Sequence, residues 1–275
     1  MMQPTMTEQD PNEALAPLPW SGVGTHKLPL SGSTLALPLG YAITFGADAT
    51  RAYKLLGNPI EFSRLEAMVI GGRDADQLIT FESFQTGYVT LDDWNQVDPA
   101  ALLAEINRNT GRENQEHEQG LPELQPQSWL QPPRLDRYTA TVRWTIAAGE
   151  TTGTSVTSVA VRLSRNGFEK LTWITSQDKY LATGSHLDEL LRAHSFSPGT
   201  AYADHVSTDK MAQDSIATLV AKVLGVKAIK AETTAGLGAR LAQFFHALFA
   251  AISTGFYGVV RRLRRRPEID VRREN

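Results

Sequence analysis

The sequence of 275 residues contains no cysteine, which excludes a disulfide framework, a thiolate nucleophile, an iron–sulfur ligand set and any cysteine-type zinc site. It also lacks a strong excess of either charge: 27 Lys and Arg stand against 30 Asp and Glu. General nucleic-acid binding needs a basic face and is not expected here. No internal repeat occurs, no dinucleotide or phosphate-binding pattern surrounds Gly71-Gly72, and no Gly-x-Ser-x-Gly elbow is present. Among the six histidines no pair has zincin spacing, and Glu113, Glu116 and His117 lack a His-Glu-x-x-His context. No cofactor, no resident metal and no nucleic-acid partner are therefore expected. What is present is an ordinary globular composition, 41% hydrophobic, in a chain long enough to bury roughly three quarters of its extended surface.

The near-balance of charge hides an asymmetry. Beyond Val260 there are seven arginines and three carboxylates, whereas residues 1–260 hold 20 basic and 27 acidic side chains. The body is mildly acidic and the tail basic. Residues 1–19 carry Glu8, Asp10 and Glu13 with several prolines and read as a disordered lead-in; they lack the positive start and apolar run of a secretory signal.

Leu241 to Val260 is about twenty residues long with no formal charge, close to the length that crosses a bilayer core. Leu241, Phe244, Phe245, Leu248, Phe249, Ile252, Phe256 and Val259 share one side at helical spacing, and Arg261, Arg262 and Arg264 follow at the boundary. The opposite side is small: Ala247, Ala251 and Gly255 repeat at four-residue spacing, as in close-packed membrane helix pairs that self-associate. A membrane-spanning anchor, an amphipathic helix lying on anionic lipid, and a helix docked on the protein's own core all fit this pattern. In the spanning reading the arginines place the tail in the cytoplasm and the body across the membrane, which requires an export signal upstream; otherwise the helix is oriented against the rule or does not span.

The body reads as an α+β domain at residues 20–205, an antiparallel sheet covered by helices, followed by an amphipathic helix and hinge at 206–240, the hydrophobic helix at 241–260 and the basic tail at 261–275. Alternation predicts strands around Leu35–Leu37, Tyr41–Phe45, Glu66–Ile70, Gln77–Phe84, Ala140–Ile146, Val159–Leu163 and Phe168–Trp173. Asn166-Gly167 between the last two is a hairpin signal. Asp48 is expected to cap a helix from Ala49 to Leu56, Asp98-Pro99 to start one that ends near Gly120, and Leu187–His194 and Ile216–Leu224 to form two more.

Chemistry is sparse. Asp92, Asp93, Asp136 and Asp209 are the carboxylates that could serve acid–base work in a hydrolase, although each is also a common turn or cap residue. Trp129 with Pro132 and Pro133 could form an apolar recognition ledge.

Gly40-Tyr41, Leu56-Gly57-Asn58-Pro59, Gly87-Tyr88-Val89, Asp92-Asp93, Arg112-Glu113-Asn114 with Gly120, Trp129-x-x-Pro132-Pro133-x-x-Asp136, Trp144 and Thr208-Asp209-Lys210 occur in an order that resembles a bacterial family of predicted membrane-anchored proteins. It is the domain of unknown function twenty-one sixty-seven. The resemblance covers roughly Trp20 to Gly225. It implies an envelope protein whose exported domain precedes a C-terminal membrane segment. It implies no reaction and carries no functional residues over. The expected function is thus a membrane-anchored, non-enzymatic binding or scaffold module with the lipid bilayer as partner. A membrane-tethered hydrolase and a cytoplasmic protein bound peripherally to anionic lipid are the alternatives.

Overall fold

The computed structural model describes residues 15, 17–55, 64–71, 77–116, 125–150, 153–183 and 186–226. Residues 1–14 and 16 of the lead-in, His117, the candidate membrane helix at 241–260 and the basic tail lie outside the described residues; the end of the lead-in is ordered, contrary to the reading of 1–19 as disordered, because Leu15 and Leu18 are buried against Ala49, Ala52 and Tyr53.

Strands β1 (Gly24–Lys27) and β2 (Thr34–Leu37) form a hairpin, and β3 (Tyr41–Phe45) runs directly into helix α1 (Gly46–Leu55). Asp48, expected as the cap, sits in the first turn instead, because the helix begins at Gly46, whose φ of +52° turns the chain straight out of β3. Next come β4 (Leu65–Gly71) and β5 (Leu78–Phe84), then α2 (Pro99–Glu116). Asp98 Oδ1 accepts the backbone N–H groups of Ala100 and Ala101, so the predicted cap operates as read. Four long strands follow: β6 (Gln127–Asp136), β7 (Thr141–Glu150), β8 (Gly153–Ser164) and β9 (Gly167–Ser176). Helices α3 (Gln177–Thr183) and α4 (His186–Ala193), the short strand β10 (His194–Ser195) and helix α5 (Ile216–Val223) complete the fold.

The class is α+β with two antiparallel sheets. Seven strands pair in the order β3-β4-β5-β9-β8-β7-β6, and a smaller sheet has the order β1-β2-β10. The Asn166-Gly167 hairpin is present, with Ser164 opposite Gly167. Gly167 is obligatory there: at φ +156° an added Cβ would lie 1.8 Å from the Phe84 carbonyl oxygen. The sequence does not show β6 as a strand, since Pro132 and Pro133 remove two ladder donors. The structure resolves this by making β6 the edge of the sheet, with its register broken around those residues.

The two faces of the large sheet differ. One presents Ala67, Val69, Ile79, Phe81, Leu171 and Trp173 to Leu28, Leu35 and Leu37 of the small sheet and to Leu187 and Leu190 of α4. Phe81 and Trp173 have no exposed surface, and burying each contributes about 2 to 3 kcal/mol. The opposite face splits into two apolar clusters. Met68, Ile70, Leu78 and Ile174 pack under α1, whereas Val142, Trp144, Val161 and Phe168 pack under α2 and α5. Between them runs a polar strip in which Thr80 faces Thr172 and Glu82 faces Lys170 across β5 and β9. Glu82 and Lys170 form an ion pair at 2.6 Å, 4% and 6% exposed. Because Ile216, Leu219 and Val220 of α5 belong to the cluster under α2, the packed body continues to Val226. No helix among the described residues is long and apolar enough to cross a membrane.

Candidate functional site

Several of the quoted motif segments meet at one end of the large sheet. Gly87-Tyr88-Val89 leaves β5 and pairs with the chain after Thr208-Asp209: the Tyr88 N–H donates to the Lys210 carbonyl at 2.8 Å, and the Ala212 N–H donates to the Tyr88 carbonyl at 2.9 Å. Gly87 permits this approach, since a Cβ at its φ of +101° would lie 2.7 Å from the Lys210 oxygen. The Tyr88 ring stacks on Tyr202 at 4.5 Å and on His205 at 3.7 Å. The Tyr202 hydroxyl donates to the Val89 carbonyl; desolvation, with Tyr88 next in effect, holds its phenol well above the usual range. Val206 and Met211, on the loops that carry this stack, and Tyr138, in the β6–β7 turn, are exposed.

The four acids predicted as candidates occupy separate settings. Asp209 takes two bonds of 2.8 Å from the Arg165 guanidinium, a bidentate clamp, and also accepts the Val206 N–H. The Arg165 bond, more than any other influence, holds its carboxyl far below the ordinary range. Asp136 accepts the Thr139 hydroxyl and the N–H groups of Tyr138 and Thr139 in the β6–β7 turn, and the Thr139 bond lowers it. Asp93 takes a bond from the Ser215 hydroxyl and the Ala217 N–H, fixing the start of α5. Asp92 is exposed. The Trp129 indole is half-buried against the cluster under α2 and donates to the Pro99 carbonyl at 2.9 Å, so its role here is to seat α2 on the edge strand.

A second group, which the sequence does not announce, lies between the two sheets. Glu66, from the bulge in β4 between Leu65 and Ala67, reaches the β1–β2 turn. Its Oε2 accepts the Ser31 N–H at 2.9 Å and the Leu30 N–H at 3.1 Å, and lies 3.0 Å from the Ser31 hydroxyl oxygen. Ser31 Oγ lies 2.9 Å from Ser33 Oγ, and Ser33 Oγ is 3.0 Å from Glu169 Oε2. His194 Nε2 is 2.7 Å from that carboxylate and 2.9 Å from Ser33 Oγ. At the far end Arg162 donates to His194 Nδ1 at 2.7 Å and to the His194 carbonyl at 2.6 Å, with its guanidinium over the Phe196 ring.

Serine, histidine and carboxylate in contact invite comparison with a hydrolytic triad, and the geometry decides against it. In a triad the imidazole accepts the serine proton while the carboxylate holds its other nitrogen. Here Arg162, which can only donate, occupies Nδ1. The Nε2 atom therefore carries the hydrogen and points it at Glu169 and Ser33. An imidazole wired this way has no lone pair to offer Ser33, which is itself 1% exposed. The chain ties β2 and β10 to β9 and β4.

The sequence matches, over residues 21–255, the family described as Protein of unknown function (DUF2167). The chain belongs to that family. No curated protein matches it. The solution structure of a cyanobacterial PsbP (CyanoP) from Synechocystis sp. PCC 6803 is similar at 11% identity, with 66% of this chain and 94% of that one covered and a TM-score of 0.38, a likeness too slight to carry an argument. For the DUF2167 body, among the described residues no three His, Asp or Glu side chains group as a metal site would need. The buried network could have been suspected from one signal only: Glu66 stands inside the otherwise apolar run Leu65 to Ile70, where an unpaired acid is costly and demands partners.

Proposed function

We propose that this DUF2167 protein is a membrane-held envelope module that binds a partner and does not transform one. The observation that carries the reading is the wiring of His194: the one contact of serine, histidine and carboxylate among the described residues is arranged for cohesion, with the imidazole lone pair given to Arg162. Asp209 and Asp136, both lowered by bonds they accept, are poorly placed to shuttle protons near neutrality. The stack of Tyr88, Tyr202 and His205 at the loop end offers what a binding module uses, flat rings held rigidly and polar groups around them.

The anchor in this proposal is the 241–260 segment, with Leu241, Phe244, Phe245, Leu248, Phe249, Ile252, Phe256 and Val259 in lipid and Arg261, Arg262 and Arg264 at the cytoplasmic boundary. Its support is sequence length, apolarity and flanking charge. Ala247, Ala251 and Gly255 would let two copies pair within the bilayer. Fractionation without detergent tests it. The full chain should be recovered with membranes and a chain ending at Thr234 should be soluble. Equal solubility of the two sinks the anchor. Release of the full chain by moderate salt replaces it with a headgroup-bound tail, because surface electrostatics are screened.

A further inference from the structure

The chain of contacts from Glu66 to Glu169 has fewer hydroxyl hydrogens than oxygen–oxygen contacts. Three oxygen–oxygen contacts lie in series: Glu66 Oε2 to Ser31 Oγ at 3.0 Å, Ser31 Oγ to Ser33 Oγ at 2.9 Å, and Ser33 Oγ to Glu169 Oε2 at 3.0 Å. Each needs one hydrogen between its oxygens. The two serines supply two, since a hydroxyl carries one hydrogen. With both carboxyls ionised, both serine hydrogens must run towards Glu66, and Ser33 then faces the Glu169 anion across the single His194 Nε2 hydrogen that the two share. A third hydrogen closes the series in one direction: Glu66 to Ser31, Ser31 to Ser33, Ser33 to Glu169.

We propose that this protein binds one proton in that relay, carried by Glu66 and shared through Ser31 and Ser33 with Glu169, and that this proton latches the β1–β2 hairpin onto the large sheet. The charged groups on the neighbouring elements assign it to the Glu66 end. Glu169 faces His194 from β10 and Arg162 from β8. Among the described residues Glu66 faces Glu169 and the neutral donors of the β1–β2 turn. On the hairpin, Lys27 is exposed with its stem beside Gly32; Arg64, two residues before Glu66, lies over the Phe84 ring; and Glu82 of β5 is paired with Lys170 on the opposite face. Among the described residues no cation is therefore aimed at Glu66. Burial and, next, Glu169 push its carboxyl up to about 7, and its second oxygen, Oε1, is buried without a partner, a smaller penalty for an acid than for an anion.

Losing the proton leaves two like charges joined by two serines. The strain falls on the turn whose Leu30 and Ser31 N–H groups end on Glu66. That turn closes the hairpin whose Leu28, Leu35 and Leu37 cover Phe81, Leu171 and Trp173. Rising pH should loosen this cover before it loosens the sheet beneath.

Infrared difference spectroscopy of the full chain between about pH 5 and about pH 9 tests the proton directly. A carbonyl band of a buried, protonated carboxylic acid should vanish at the higher pH and be missing from the Glu66→Gln variant. Amide hydrogen exchange, corrected for intrinsic rate, tests the latch on the unmodified protein. Protection at Leu30, Ser31 and Ser33 should fall at least tenfold over the same interval while β8 and β9 amides keep theirs. A spectrum without the band overturns the proton; a band that survives Glu66→Gln overturns its placement. Exchange that is unchanged, or lost equally across both sheets, overturns the latch.

Discussion

Two buried acids on adjacent strands meet the same cost in opposite ways. Glu82, on β5, is 3% exposed and faces the Lys170 ammonium at 2.6 Å. Glu66, on β4, has no exposed surface and, among the described residues, no cation: hydroxyl and amide groups and a second acid surround it. Direct neutralisation leaves the first site dependent on one partner. Solvation by neutral dipoles leaves the second dependent on a proton. The lesson is that a carboxyl inside a sheet protein can be held by charge or by proton count, and the two devices respond to different perturbations.

The sharpest way to break the comparison is to remove one charge of the pair. Lys170→Met should cost about 3 to 5 kcal/mol of unfolding free energy, because Glu82 is then buried without its counter-ion, while replacing both residues by apolar side chains of similar volume should restore most of it. Denaturant midpoints at constant slope measure this. An equal loss in the single and double variants would mean that packing matters there, not charge.

Glu66→Gln should separate the two acids by their response to pH. The folded chain holds the Glu66 proton between 4.5 and about 7, so stability is full below the lower value and falls as pH rises through the upper one, by up to about 3 kcal/mol at 1.36 kcal/mol per unit. The Gln variant should lack that slope, and Lys170→Met should retain it. Thermal midpoints taken across the interval check both.

A half-exposed acid sets the small end of the scale. Asp93→Ala removes the partner of the Ser215 hydroxyl and the Ala217 N–H at the start of α5 and should cost about 1 kcal/mol, the usual worth of a helix-capping side chain. Faster exchange confined to α5 amides would be its signature, whereas a loss as large as that of Lys170→Met would dissolve the distinction between buried and surface acids.

How far the sequence reveals this arrangement depends on the range of each signal. Asn166-Gly167, Asp98-Pro99 and the alternation in β7 to β9 are local, and the structure contains the hairpin, the cap and the strands they predict. Pro132-Pro133 conceals β6, because a strand that tolerates two prolines must be an edge, and edges are a property of the whole sheet. Helix α3 has no apolar stripe strong enough to stand out over seven residues. The relay is the least legible part. Ser33 and His194 are 161 positions apart and Ser31 and Glu66 are 35 apart, and only the pairing of β2 with β10, together with a bulge in β4, brings them into contact.

The prolines that hide β6 also shape how copies of this chain behave when crowded. An open sheet border with a full row of donors invites a neighbouring molecule to add a strand. Here the Pro132-Pro133 pair removes a donor from that row and breaks the register beside it, and the amide of Asn107 already occupies both the N–H and the carbonyl of Gln127. Molecules concentrated side by side on a common surface would find only an interrupted template along that border, which favours separate bodies over ribbons.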